Sequence, residues 1–453
     1  MSRSDALIVI GGGLAGCEAA WQAAETGARV ELFEMRPHRR SPAHQTDTLA
    51  ELVCSNSMRG AALENAVGLL KAELAACDSL IVGAARNNAV PAGGALAVDR
   101  ARFGEEIERR IGAHPRIVLR REELAAIPED AATIVACGPL PGPALAQAID
   151  RLVGGQRLHY YDAAAPIVAA DSIDEAQMYR KSRYDKGEGD DYLNIPLDRA
   201  AYLQLVHDLR TLPRHEPKEF ERERPGDVPY FEGCLPIEEM ADRGDDTLRF
   251  GPLKPVGLRD PRTGTTPYAV VQLRKENAAG TALNLVGFQT RLSWPAQKEA
   301  FGKLPGLGMA EWIRLGVMHR NTFIDSPRLL DAHLRLRAQP RVWFAGQITG
   351  AEGYVEAAAC GVIAGRAAAR TLLGLEPLPV PADTALGAIV AHVTNETTAD
   401  FQPANVSWAS FAPLDGPPIR EKKARRLAMA QRALARLEGW EAAHRATRLA
   451  CVG

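Results

Sequence analysis

A chain of 453 residues, 46% hydrophobic and 24% charged, is ordinary globular material long enough for about two or three domains, which excludes a peptide, a fibre or a disordered tail. Its 54 Lys and Arg nearly cancel 56 Asp and Glu, for a formal net charge of −2, so any site for a polyanion must be a local patch. The apolar run Ala6 to Ile10 ends in three glycines, too short for a signal-peptide core or a span of ~20 residues, and seven cysteines without a CxxC pair fit a reducing compartment better than a disulfide framework or a zinc site; a soluble, cytoplasmic protein with no metal site is expected.

In chain order, Leu7 to Ile10 reads as a strand, Leu14 to Thr26 as an Ala-rich helix and Arg29 to Phe33 as a second strand, a β-α-β unit. Between the first strand and the helix, Gly11, Gly12, Gly13, Leu14, Ala15 and Gly16 supply G-x-G-x-x-G, and Glu34 follows 18 residues after Gly16 at the end of the second strand. Such glycines let backbone approach a pyrophosphate at a helix N-terminus, and the acidic residue can accept hydrogen bonds from a ribose diol. A strand ending in a Gly-Pro turn at 133–138 is suited to return to the same parallel sheet. Far downstream, 342–347 forms another strand ending in Gly346 and Gln347, followed by Gly350, Gly353, Tyr354, Glu356 and an Ala-rich helix through Ala369. Two cofactor segments so far apart imply a split nucleotide domain: 1–158 and 330–375, with residues 159–329 inserted as a mixed α/β substrate domain. Beyond a Pro-rich linker at 376–383, the remainder of 376–453 carries nine Lys/Arg against three Asp/Glu between Arg420 and Arg448. Leu427, Ala430, Leu434 and Leu437 recur there at helical spacing, so an amphipathic helix with a basic outer face is expected; such a face is either solvated or an RNA surface.

The fingerprint alone suits NAD or FAD, which share the pyrophosphate and the ribose. The late glycine-rich segment feeding a helix, on a chain with one complete fingerprint, favours FAD, with any nicotinamide donor binding transiently. Of the cysteines, Cys17, Cys77, Cys137 and Cys360 read as core packing and Cys451 lies at the terminus. Cys54, in Leu-Val-Cys-Ser-Asn-Ser, and Cys234, in Phe-Glu-Gly-Cys-Leu-Pro, sit among turn-forming or polar residues where a thiolate can reach a substrate.

The blocks Gly11 to Gly16, Phe33 to Pro37, Leu52 to Ser57, Phe231 to Met240, Phe250 to Leu258, Asn284 to Thr290, Gly316 to Phe323 and Ala345 to Glu356 closely resemble the folate- and FAD-dependent tRNA uracil-5-methyltransferases, the TrmFO family, over nearly the whole chain. The first forty residues alone would also suit the related GidA-type wobble-uridine enzymes. The resemblance implies an α/β fold in which a Rossmann-like, glutathione-reductase-like FAD domain is interrupted by an inserted mixed α/β domain and followed by a basic C-terminal helix. It implies C5 methylation of uridine-54 in the T-loop of tRNA, with 5,10-methylenetetrahydrofolate as carbon donor, FAD as methylene carrier and reductant, and NADPH or NADH as electron source. Uracil C5 needs activation by a thiolate added to C6; Cys234 matches the family's attacking thiol, and Cys54 a second cysteine near the flavin that would remove the C5 proton. Cofactor contacts are then expected from Gly11, Gly12, Gly13, Leu14, Ala15, Gly16, Glu34, Gly346, Gln347, Gly350, Gly353 and Tyr354. The partners implied are the tRNA T-arm, folate and a nicotinamide, with neither membrane nor stable protein partner. Lys254, Arg274 and Arg291 lie in matching blocks as phosphate or folate contacts or as ion pairs, His319 as functional or structural, and Arg183, Tyr184 and Lys186 in a loop that approaches RNA or folate. The same chemistry on a 23S ribosomal RNA uridine, or a flavin oxidoreductase acting on a small molecule, are the alternatives.

Overall fold

Leu7–Ile10 is buried along its whole length and forms the middle of a five-stranded sheet. In the computed structural model, which describes residues 6–155, 157–215, 235–398 and 401–452, the strand order is Val342–Phe344, Thr133–Val135, Leu7–Ile10, Val30–Phe33, Ile117–Arg120. Every neighbouring pair is parallel; a parallel sheet is covered on both faces, which is why the central strand Leu7–Ile10 is apolar throughout, whereas the edge strand Ile117–Arg120 leaves Val118 and Arg120 exposed. Successive side chains point to opposite faces. Leu7 and Val9 join a core with helices Leu14–Thr26 and Tyr354–Leu372, while Ile8 and Ile10 join another with helix Pro143–Val153. The two Ala-rich helices meet backbone to backbone, since a Cβ on Gly361 or Gly365 would run into the Ala15 or Ala19 carbonyl. This is the Rossmann-like arrangement expected from the sequence.

The chain leaves this unit through strand Arg157–Ala163 and returns through Met318–Ile324, and the two pair antiparallel along their full length. Between them lies a six-stranded sheet in the order Tyr179–Arg180, Tyr192–Leu197, Ala269–Lys275, Ala282–Leu285, Ile167–Ala169, Trp312–Arg314. All its pairs are antiparallel, and it shares a separate apolar core with helices Arg199–Thr211 and Trp294–Gly302. Asp198 and Ser293 start those helices by accepting the Ala201 and Ala296 N–H groups.

Two expectations are corrected. The Pro-rich stretch does not detach the tail: helix Ala385–Thr394 buries Leu386, Ile389 and Val393 in the same core as the nucleotide sheet, and helix Lys422–Val452 buries Ala430, Ala433, Leu437 and Trp440 there. The buried stripe is centred on Ala433, leaving Leu427 and Leu434 half-buried at its edge, while Lys422, Lys423, Arg425, Arg436 and Arg445 face outward. Arg366 ties this helix down from inside, pairing with Glu441 and bonding Gln22 and the Cys77 carbonyl, all out of solvent. Cys137, expected in a strand core, lies beyond the end of Thr133–Val135; it is half-buried, packs against the core of Ile8 and Ile10 as expected, and also lines a cleft. Among the described residues no helix is long and apolar enough to cross a membrane.

Candidate functional site

The glycine fingerprint builds one wall of a cleft of about 1030 Å³, counted to its open mouth. Gly16 is required by packing, because a Cβ there would overlap the Gly11 carbonyl oxygen. Gly13 is different. It caps helix Leu14–Thr26 without any side-chain bond to the helix N-terminus, and a Cβ on it would meet nothing within 4 Å. Free helix N–H groups facing open space are what a pyrophosphate needs, so the residues present fit a dinucleotide. Gly11, Leu14, Ala15 and Glu34 line the same cleft, as do Gly346, Gln347 and Tyr354 from the second segment. Gly12 stands behind, giving its N–H to Glu34 Oε2 at 2.8 Å. Gly350 packs against Phe401, and Gly353 lines the adjoining cavity instead.

Glu34 is 4% exposed and already engaged. Arg36 donates to it from its backbone N–H at 3.0 Å, from Nε at 2.8 Å and from Nη2 at 3.1 Å. Burial alone would raise the carboxyl; the bonds and charge of Arg36 outweigh it and hold the group below its ordinary range. A ribose diol reaching Glu34 therefore shares an ionised acceptor with Arg36, a residue the motif does not announce.

A second cavity of about 1020 Å³ adjoins the first, sharing Val53, Leu140, Gln347 and Tyr354 with it, and is lined further by Cys54, Ser57, Arg59, Gln289 and Asn321. Cys54 is half-buried, with Sγ 3.6 Å from the Ala163 carbonyl oxygen. The Tyr354 hydroxyl oxygen accepts the Cys54 N–H at 2.7 Å and the Ser55 N–H at 3.1 Å. Burial, then the neighbouring Cys54, pushes this phenol well above its ordinary value, so it is neutral. Arg59 has φ +62°, a conformation costly for a residue with a side chain, and pairs with Glu356, which is fully buried. The other expected thiol, Cys234, lies outside the described residues. Cys17, Cys77 and Cys360 are fully buried, and burial above all raises their thiols, Cys360 to about 11, which leaves them inert.

Arg291 forms an ion pair with Glu239 at 2.7 Å. Arg274 is 5% exposed and bonds Asn56 and Ser55, neither an ion pair nor a free phosphate contact. Lys254 is exposed, and Arg183 is spent on the Lys254 and Val256 carbonyls; beside it Tyr184 stands 58% exposed with φ +58°, and Lys186 is exposed. The side chains of His319 and Arg320 lie outside the described residues, although their strand is within them.

A family profile described as "Glucose inhibited division protein A" matches residues 6–376. The chain is 55% identical to the methylenetetrahydrofolate–tRNA-(uracil-5-)-methyltransferase TrmFO of Pelobacter propionicus, over 96% of this chain and 94% of that protein. Against the TrmFO of Heliobacterium modesticaldum the identity is 56%, over 95% and 96%. Among solved structures, Aquifex aeolicus GidA in its form II crystal is similar with a TM-score of 0.71 and 17% identity, covering 99% of this chain and 74% of that one; at that identity the likeness shows the fold.

Proposed function

The chain belongs to the TrmFO proteins within the GIDA family, and from that premise we propose that it methylates C5 of a uridine in tRNA, the T-loop uridine-54, with 5,10-methylenetetrahydrofolate as carbon donor and NADPH or NADH as electron source, in the cytoplasm. FAD, when bound, supplies the electrons and the carrier for the one-carbon unit. Gly11, Gly13, Leu14, Ala15 and Glu34, with Gly346, Gln347 and Tyr354, would hold it. The observation that carries this reading is the junction at Tyr354, where a cleft fit for a dinucleotide opens onto a second cavity holding a half-buried cysteine.

In this reading Cys234 adds to uracil C6 and turns C5 into a nucleophile. Cys54 takes the C5 proton, which must leave before the product releases the Cys234 sulfur by β-elimination. Tyr354 fixes the backbone of Cys54 through two N–H bonds and so holds its thiol at the junction. The target base must leave its stack to enter the cavity, and the outward lysines and arginines of helix Lys422–Val452 offer the phosphate contacts that supply sequence-independent affinity.

The test is an anaerobic incubation of the purified yellow protein with NADPH, methylene-labelled tetrahydrofolate and an unmodified tRNA transcript, beside Cys234→Ala and Cys54→Ser variants. Label recovered as 5-methyluridine in the T-loop, and lost with Cys234→Ala, is the expected result. Flavin turnover without label in tRNA would overturn the reading and direct the same assay to ribosomal RNA fragments.

A further inference from the structure

Among the polar side chains that line the cavity beyond Tyr354, Asn321 is both buried and unspent. It is 3% exposed, and its amide has no hydrogen-bond partner among the described residues. Strand alternation puts it there: Asn321 belongs to Met318–Ile324, and its neighbour Thr322 turns the other way, to a separate pocket and to His159. Its polar neighbours in the lining are engaged. Arg59 pairs with Glu356, the Asn405 amide donates to the Glu352 carbonyl at 2.7 Å, Gln347 donates to the Glu352 carboxylate at 2.7 Å, and the Tyr354 oxygen takes two backbone N–H groups. Gln289, half-buried in the same lining, is the exception. Its side-chain amide has no partner among the described residues either, while its carbonyl accepts the Ile237 N–H at 2.7 Å.

Native interiors rarely leave a buried amide unmatched, because its desolvation is then not repaid. A ligand that repays it must fit a primary amide, which offers an N–H donor and a carbonyl acceptor side by side. The complement is a ring in which an N–H stands next to a C=O, as at the N3–O4 edge of uracil. The same pair occurs in the flavin ring and in a pterin. Neither Asn321 nor Gln289 lines the dinucleotide cleft, however, and Gln289 is tied to Ile237, in the stretch that follows position 234. Both amides thus lie on the side of the junction that the proposed reaction gives to the base.

We infer that Asn321 holds the N3–O4 edge of the target uridine, its amide N–H donating to O4 and its carbonyl accepting the N3–H, with Gln289 as a second amide for the same base. The inference rests on the proposed methylation and adds to it a group that acts on the reacting atoms. Addition of a thiolate to C6 forms the C6–S bond and moves the C5–C6 π pair onto C5 and, through C4, onto O4. C5 uses that pair to bond the one-carbon unit; loss of the C5 proton and elimination of the thiolate then restore the C5–C6 double bond. Negative charge on O4 is greatest in the enolate, so a donor fixed there binds the enolate better than the resting base and lowers the barrier to addition.

The experiment compares the full-length flavin-bound protein with Asn321→Ala, each on tRNA transcripts that carry uridine or 4-thiouridine at the target, with folate and NADPH saturating. Sulfur accepts hydrogen bonds poorly, so the ratio of the two rates reads the donor to O4. In Asn321→Ala, kcat on uridine should fall about 10²-fold with flavin content unchanged. KM for tRNA should move little, because the phosphates supply most of the affinity. The rate ratio should shrink by at least about fivefold, the worth of one hydrogen bond. A ratio equal to that of the wild type overturns the inference; so does loss of flavin, which would give the amide to the flavin ring, or a rise in KM for folate alone, which would give it to the pterin. If Asn321→Ala does not fold, a transcript with 3-methyluridine, which lacks the N3–H, decides the matter on the wild type: a loss of at least about 10²-fold is expected, and one below about tenfold overturns the inference. Uridine methylation by the wild type with an unchanged ratio in Asn321→Ala sinks this inference alone, whereas a wild type that reduces its flavin with NADPH and never labels uridine sinks the proposed reaction and this inference with it.

Discussion

Replacing Arg366 by Met removes the cation from a pair whose two side chains are 1% and 3% exposed. It strands the Glu441 carboxylate and takes donors from Gln22 Oε1 and the Cys77 carbonyl. It also removes a guanidinium stacked 4.8 Å from the centre of the Trp440 ring. Breaking a buried pair from one side costs about 3–5 kcal/mol, a large part of the ~5–15 kcal/mol that keeps a typical domain folded. The double variant Arg366→Met, Glu441→Leu no longer strands a charge and should recover at least about 2 kcal/mol of that loss, with the lost Arg366 bonds to Gln22 and to the Cys77 carbonyl keeping it below wild type. Urea unfolding followed by tryptophan fluorescence, with the flavin-release transition recorded in parallel, measures both. A single variant that loses less than about 1 kcal/mol, or a double variant no better than the single, would refute the account of this pair as a charge that needs its partner.

Glu73 is fully buried and accepts the Ala385 and Leu386 N–H groups at the start of a tail helix; burial above all raises its carboxyl to about 7. Its contribution to stability is therefore full below the unfolded-state value and lost as pH rises through about 7, a swing of at most about 3 kcal/mol; Glu73→Gln should flatten that part of the stability–pH curve, and an unchanged slope would reject the assignment. Tyr354→Phe leaves the Cys54 and Ser55 N–H groups without their acceptor, costing about 1–3 kcal/mol; uridine methylation should fall far more than flavin content, and equal losses would count against a role in holding Cys54. Reversing Lys422, Lys423 and Arg425 to Glu should weaken tRNA binding and flatten its dependence on salt by about one logarithmic unit for each phosphate contact removed. Unchanged filter-binding affinity across salt would mark that face as merely solvated.

Local pattern made part of this molecule legible in its sequence. The strand Leu7–Ile10 and the helix Leu14–Thr26 could be read because an all-apolar run, a glycine turn and an Ala-rich stretch each have one cheap solution. The TrmFO blocks likewise pointed to the family at once. Cys137 packs against a core as its apolar neighbours indicate, but its strand stops at Val135 and the turn at Gly138 redirects the chain, which leaves the thiol half-buried. The tail was misjudged because prolines at 376–383 suggested a break, while the run Ala-Leu-Gly-Ala-Ile-Val at 385–390 already announced a buried helix. Arg274 was singled out only by its matching block, with no indication that it bonds Ser55 and Asn56, and Arg100 and Arg314, which bond the Leu52 and Val53 carbonyls, had no local signature. They reach the Cys54 segment from separate parts of the chain, and arginines at such positions are indistinguishable in sequence from solvated ones. Arg36 was nearer to hand, two residues after the fingerprint acid, where a basic side chain can fold back on the carboxylate.

The paired crossing strands Arg157–Ala163 and Met318–Ile324 also set an order of assembly. Everything between them is contiguous and has its own core, so the inserted unit is complete once the ribosome has released residue 324. The parallel sheet still lacks its edge strand Val342–Phe344, the second cofactor segment and the two tail helices that roof it. Domains fold largely as units during synthesis, so here the later part of the chain finishes first around a nucleotide unit that was begun at residue 7. Cofactor loading must therefore wait at least for the segment that carries Gly346 to Ala357, long after the insert has its core, and a chain truncated before residue 342 should emerge with a folded insert and no flavin.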